Sequence, residues 1–307
     1  MGLIFLAYFG GVILAAAIGI TWWVSRGRTD VALAGTVRTL TTVAAGVPLV
    51  IFVAYRLWGG LPFLGVPVGP LPIELARFAI DSRYVLPLAA ALPMLLLLAV
   101  PERAPRITGS AGISRRTIVS FVSRGWWIAG ASVLAVIGLI TLSAGFASSP
   151  DEEGHWRMFQ IELGTTTAST WIYGWYYSTT SLILIAGVLV FAALALGVVA
   201  RPPLGSNPEL DIARRGVRSR NIVAVALGAL LCHLAAVLGG LAGTAGLRVG
   251  IGSSPAGPIE VGTPFAALST PLCAAEVLAL GVGVGLWFIV LLSAVRSDVR
   301  TPVVVAA

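Results

Sequence analysis

Lysine is absent from all 307 residues, so each of the 20 basic side chains is an arginine. Without lysine there is no Walker A loop to reach a nucleotide's phosphates, and neither a pyridoxal nor a retinal Schiff base can form. The absence itself reads as a compositional bias rather than a functional choice. Charge of either sign is scarce, at 11% of residues, against about a quarter in soluble domains. Cysteine occurs twice, at Cys232 and Cys273, both within apolar segments, which excludes a disulfide framework and a paired-cysteine metal site. Two histidines are too few for two bis-histidine haems, and there is no HExxH, no G-x-S-x-G and no pair of aspartates in an apolar run. The sequence calls for no cofactor and no bound metal, and it nominates no catalytic residue.

What fills the chain instead is apolar surface, 57% of residues. That balance belongs to a polytopic membrane protein. Runs of about twenty apolar residues, enough to cross about 30 Å of hydrocarbon, recur near 2–24, 39–59, 84–100, 126–147, 175–200, 221–245 and 265–294. The expected fold is an all-α integral membrane bundle of about seven transmembrane helices, one domain over residues 1–307. The third run is short and carries Pro87 and Pro93, so it is expected to be kinked, tilted or partly buried by its neighbours. The last is longer than a span requires.

Arginine placement sets the orientation, because cytoplasmic loops retain positive charge during insertion. Fifteen arginines fall in one set of loops and five, Arg56, Arg77, Arg83, Arg157 and Arg248, in the other. The N-terminus is therefore expected outside and the C-terminus in the cytoplasm of a multi-pass protein of the cell membrane. Tryptophans at predicted span ends, among them Trp22, Trp58, Trp126 and Trp171, agree with these boundaries. The first run lacks a basic leader and is too long for a cleavable signal, so it is expected to remain as a helix.

Two loop segments mix charge with apolar residues. "LPIELARFAIDSR", 71–83, reads as a short amphipathic helix on the outer surface, either structural or a lid. "ISRRTIVSFVSR", 113–124, with Arg115 and Arg116, and the loop carrying Arg214 and Arg215 suit either anionic lipid or docking of a cytoplasmic partner. Topology alone accounts for these arginines, so no nucleic-acid partner is expected.

One carboxylate, Glu276, interrupts the last apolar run, and a charge at that depth needs a partner or water. Ser269, Cys273, Glu276 and Gly283 share one helical face, while His233 interrupts the sixth run beside Gly228, Cys232, Ala236 and Gly240. Residue counting brings His233 and Glu276 to similar depth on antiparallel helices. The readings are a direct His233 to Glu276 pair, two groups that merely join helices, or a proton or ligand relay. On the outer side Asp151, Glu152, Glu153 and His155 form either a solvated acidic loop or a divalent-ion site. Trp171 and Trp175 head an aromatic cluster that reads as an interfacial belt or as a grip on a ligand.

Three functions remain in view. The first is the membrane subunit of a transport system energised by a separate cytoplasmic ATPase, docked through the inner arginines within a hetero- or homo-oligomeric complex. The second is a sensor or regulatory module with an outer ligand loop and a cytoplasmic regulatory partner. The third is a small enzyme acting on membrane lipid, with His233 and Glu276 as acid and base.

Overall fold

The computed structural model describes residues 6–25, 31–33, 35–60, 78, 80–101, 121–163, 166–201, 208–254 and 257–295. Arg115 and Arg116, and the 71–83 segment ahead of Phe78, lie outside the described residues. A π-helical turn, Leu6–Gly10, leads into α1 (Gly11–Ser25). There follow α2 (Gly35–Gly60), α3 (Leu86–Leu98), α4 (Arg124–Phe146), α5 (Trp175–Ala200), α6 (Pro208–Ala245) and α7 (Ser269–Val295). Among the described residues, six helical stretches are long and apolar enough to cross a bilayer. The exception is α3, whose 13 residues span about 20 Å at 1.5 Å per residue.

The helices alternate in direction. Gly11 and Gly19 of α1 abut Leu280 and Phe288 of α7 in the same order, so those two helices run parallel. Arg38 and Arg56 of α2 reach Ala294 and Glu276 of α7 in reverse order. At the centre stands α6, with 78% of its apolar stretch buried inside the protein against 17% for the first helix and 22% for α4. The outer helices turn aliphatic side chains outward, with Ile13, Ile51, Leu139 and Ile183 each more than half exposed. Such a surface suits hydrocarbon rather than water.

Small residues let α6 and α7 approach closely, as their glycine spacing implies. A side chain at Gly228 would meet the Trp287 indole at 2.6 Å and the Gly283 carbonyl at 2.9 Å. Trp287 is fully buried and donates its indole N–H to the Val225 carbonyl at 3.1 Å. Nearby, Asn221 donates to the Ser293 hydroxyl at 2.8 Å.

One end of the bundle is built by arginines. The last carbonyls of a helix have no partner within it and carry partial negative charge. Arg218 donates to the carbonyls of Leu98 at 3.4 Å, the last residue of α3, and of Val100 at 2.6 Å, just past it. Arg215 donates to Val199 at 3.2 Å at the end of α5, and Arg38 to Ala294 at 3.0 Å and Val295 at 3.1 Å at the end of α7. Three helices that end on this side are thus closed by guanidinium groups from α6 and α2. Charged hydrogen bonds of this kind contribute about 1.5–3 kcal/mol each.

This end corrects one boundary. The sixth run was expected to start at 221, after a loop broken by prolines, yet α6 begins at Pro208 and runs 38 residues. Proline suits a helix's first turn, Glu209 and Asp211 oppose the macrodipole there, and Asp211 pairs with Arg215 one turn on at 2.8 Å. Charge ends a hydropathy run without ending a helix.

The helical bundle is as expected, and its opposite end adds two short antiparallel sheets in the loops. Between α4 and α5 lies an antiparallel sheet of β1 (Ser149–Pro150), β2 (Trp156–Leu163) and β3 (Thr166–Trp171), paired from Met158 with Trp171 to Leu163 with Thr166. Gly154, at φ 81°, supplies the left-handed residue of the turn between β1 and β2. Between α6 and α7 a second hairpin joins β4 (Arg248–Ser254) to β5 (Gly257–Gly262). The first sheet rests on the helix ends through Thr244, which donates to the Trp171 carbonyl at 3.1 Å, and through the Phe159 and Phe265 rings, 5.3 Å apart.

Candidate functional site

Because α3 is short, the hairpin end of its lane is filled by other groups. The chain enters through a helical turn ending at Ser82 and bends at Arg83, Tyr84 and Val85 before α3 begins. Tyr84 is fully buried, its ring 4.9 Å from Tyr173 and 5.1 Å from Tyr177 of the α5 entrance. Its carbonyl lies 2.7 Å from Nδ1 of His233, twelve residues before the end of α6. Proline at the start of α3 removes one N–H that would otherwise need a partner there.

Glu276 does not pair with His233. Its Oε1 lies 3.2 Å from Nη2 of Arg56, in the last turns of α2. Arg83 also acts on the Glu276 carboxylate electrostatically. Room for the carboxylate comes from Gly239, where a side-chain carbon would sit 2.7 Å from it, and Gly240 does the same for the Tyr84 hydroxyl at 2.6 Å. The two glycines of α6 are the floor of the site.

His233 faces the other way. It is fully buried, held by the Tyr84 carbonyl, and its Nε2 lies 3.4 Å from the Tyr173 hydroxyl. The expected direct pair therefore gives way to an Arg56–Glu276 pair and a separate His233–Tyr84–Tyr173 cluster. A guanidinium compensates an intramembrane carboxylate better than a neutral imidazole does. The Arg83 guanidinium donates to the Tyr84 hydroxyl and stacks 4.5 Å from that ring.

The remaining expected residues are placed as follows. Ser269 donates to the Ala242 carbonyl at 3.0 Å, a clasp between α7 and α6, and Cys273 is half-buried near Glu276. Arg215 is buried against the end of α5 rather than presented for docking, and Arg214 beside it is half-buried. In the loop between α4 and α5, ligating atoms of Asp151, Glu153 and His155 lie within 4.8 Å of one another, while Glu152 points to solvent. Arg157 already bridges the two carboxylates, donating to Asp151 and, at 3.1 Å, to Glu153. A guanidinium thus supplies the positive charge that a divalent ion would bring. Trp171 is exposed, with Arg157 5.2 Å from its ring. Trp175 packs on Gly145 and on Phe146, 5.6 Å away. The aromatic cluster is therefore divided, with Tyr173 and Tyr177 inside the protein and Trp171 and Tyr176 at its surface.

Asp151 sits below the usual carboxylate range. Desolvation raises it, but the His155 N–H, the Arg157 guanidinium and the Glu153 N–H together outweigh that. With the folded value depressed, the carboxylate stabilises the turn above the ordinary aspartate range, and that contribution is lost as pH falls through the depressed value. Acidification below about pH 4 is expected to open this turn before the helices. The check is amide-exchange protection at Glu153 and His155, whose N–H groups donate to Asp151 at 2.9 and 2.8 Å. Protection unchanged by acid would count against Asp151 as the organising group.

Arg56, Arg83 and Tyr84 were not nominated from the sequence. The signal for Arg56 was present, since it lies inside the apolar run 39–59 and is the only basic residue of that run.

No family model, curated protein or solved structure matches this chain.

Proposed function

We propose that the chain is a transport protein of the cell membrane, crossing it seven times with α3 as a short third crossing, its N-terminus and hairpins outside and its arginine end in the cytoplasm. The observation that carries this reading is the charged centre of Arg56, Glu276 and Arg83 inside a bundle of apolar helices. Two guanidinium groups and a carboxylate at span depth cost free energy to insert, and intramembrane charges face partners, cavities or solute paths. The site lies beneath the hairpin end, where a solute would enter. No nucleotide motif is present, so energy for uphill movement would come from a separate cytoplasmic ATPase or from an ion gradient.

A second reading, a sensor, is favoured by the link between the first sheet and the helix ends through Thr244, Phe159 and Phe265. Displacement of that sheet would act directly on α6 and on the approach to α7.

Purification of the tagged chain from its native membrane in mild detergent, with mass spectrometry of what accompanies it, separates these. A stoichiometric ATPase is the expected result for the transport subunit, and a kinase or transcriptional regulator would replace it by the sensor. If the chain emerges alone, flux into proteoliposomes under an imposed ion gradient is expected. Absence of both partner and flux would end the transport reading.

A further inference from the structure

We infer that Arg83, beside the Arg56–Glu276 pair, binds a carboxylate or phosphate group, carried either by a free solute or by a lipid headgroup. The inference rests on the site described above and names the ligand class it would take.

A half-buried guanidinium such as that of Arg83 is normally matched by a carboxylate or by several acceptors. Arg83 instead has one donor on the neutral Tyr84 hydroxyl and its flat face on the Tyr84 ring. Its Nε is buried and has no hydrogen-bond acceptor. Asp81, two residues earlier, does not fill that role: its carboxylate accepts from Tyr177 at 3.4 Å. Glu276 is already held by Arg56 at 3.2 Å. Among the described residues the centre therefore contains one guanidinium in an ion pair and a second whose buried Nε has no acceptor. A buried donor without an acceptor is costly and calls for an occupant.

The shape of the site narrows the chemistry. A guanidinium edge matches two oxygens on one carbon or phosphorus, the geometry of a carboxylate or phosphate, better than a spherical halide. Stacking on Tyr84 fixes the plane of that edge, and the Tyr84 hydroxyl fixes its rotation. The start of α3, three residues on, has no side-chain cap and adds the partial positive charge of a helix N-terminus at the same depth. Glu276 repels an anion that approaches too closely, so the ligand's charge is taken by Arg83 and its surroundings rather than by displacing Glu276 from Arg56.

The experiment uses the full chain in detergent and in nanodiscs. Thermal unfolding is followed in sodium phosphate and in sodium acetate against sodium chloride at matched ionic strength, for the natural protein, Arg83→Gln and Arg83→Lys. For a free-solute site the natural protein gains stability with phosphate or acetate over chloride. Apparent affinity is then expected to fall about tenfold or more in Arg83→Gln, the loss of one charge-assisted bond, and less in Arg83→Lys, which keeps the charge without the planar edge. For a lipid site the gain appears instead in phosphatidylglycerol nanodiscs over phosphatidylcholine and is lost in Arg83→Gln. Equal responses of the natural protein and Arg83→Gln in every arm, or no response beyond chloride and phosphatidylcholine, overturn the inference. Should Arg83→Gln fail to fold, Tyr84→Phe keeps the stacking ring and removes the orienting hydroxyl. A several-fold weaker anion response is then expected, and an unchanged one overturns the inference. Anion binding without flux would preserve this site and remove the transport reading, whereas flux without Arg83-dependent binding would do the reverse.

Discussion

Glu276→Leu is expected to destabilise the folded protein by about 3–5 kcal/mol, because removal of one member of a buried pair leaves the other charge uncompensated. Arg56→Leu should cost a similar amount for the same reason. The double replacement is expected to recover most of the loss, since neither member of the pair is then left without the other, while Arg83 keeps its bond to the Tyr84 hydroxyl. Arg56 is 21% exposed and Glu276 11%, so solvent relieves part of the penalty and the lower end of the range applies. Unfolding in mixed micelles by increasing SDS, carried out on all four forms, measures the coupling. Strictly additive effects would mean that the 3.2 Å contact contributes nothing to the fold. The same cycle separates stability from function: a double variant that folds but no longer moves or binds solute keeps the charges as functional groups rather than as helix joints.

The second large effect is steric. Gly228→Leu should prevent recovery of folded protein, or destabilise it by at least about 3 kcal/mol, at the upper end of what overpacking costs. Its first side-chain carbon would fall 2.6 Å from Trp287 and 2.9 Å from a backbone oxygen of α7. The backbone cannot turn aside as a flexible side chain can, and moving the fully buried Trp287 would break its bond to Val225. Gly138→Leu, on α4, where nothing lies within 4 Å, provides the control and is expected to be well tolerated. Measured by fluorescence-detected size-exclusion chromatography after heating, equal yields for the two variants would show that α6 and α7 do not pack as described.

The apolar runs were readable because hydrocarbon imposes one rule on every spanning residue, and their boundaries mostly agree with the helices to within a few residues. That rule fails where a helix leaves the membrane. The arginines of α6 stopped the run at 221 although the helix starts at Pro208, since hydropathy measures solvent preference and not backbone conformation. It is also silent on strands: "WRMFQIEL" and "TTASTW" lie outside the apolar runs, and their signal is β-forming residues around a turn rather than hydropathy. In the site, Glu276 stood out as the lone carboxylate of its run. Its partner did not, because Arg56 was counted with the loops for orientation while it lay inside a span. Counting charges of both signs within spans would have joined them. Arg83 and Tyr84 carried no such signal, since their placement follows from the shortness of α3 and the bend before it.

The arginine closures on α2 have a consequence for the order of assembly. Arg38 and Arg56 both find their acceptors on α7, at Ala294, Val295 and Glu276. Those acceptors are made only after more than two hundred further residues, and until then Arg56 has the Tyr8 ring, 6.0 Å from its guanidinium, but not its α7 carboxylate. Arg218 and Arg215 face a different schedule, because the ends of α3 and α5 are already made when α6 arrives. The contacts of α3 and α5 with α6 can therefore form as α6 emerges, whereas the two closures made by α2 wait for α7.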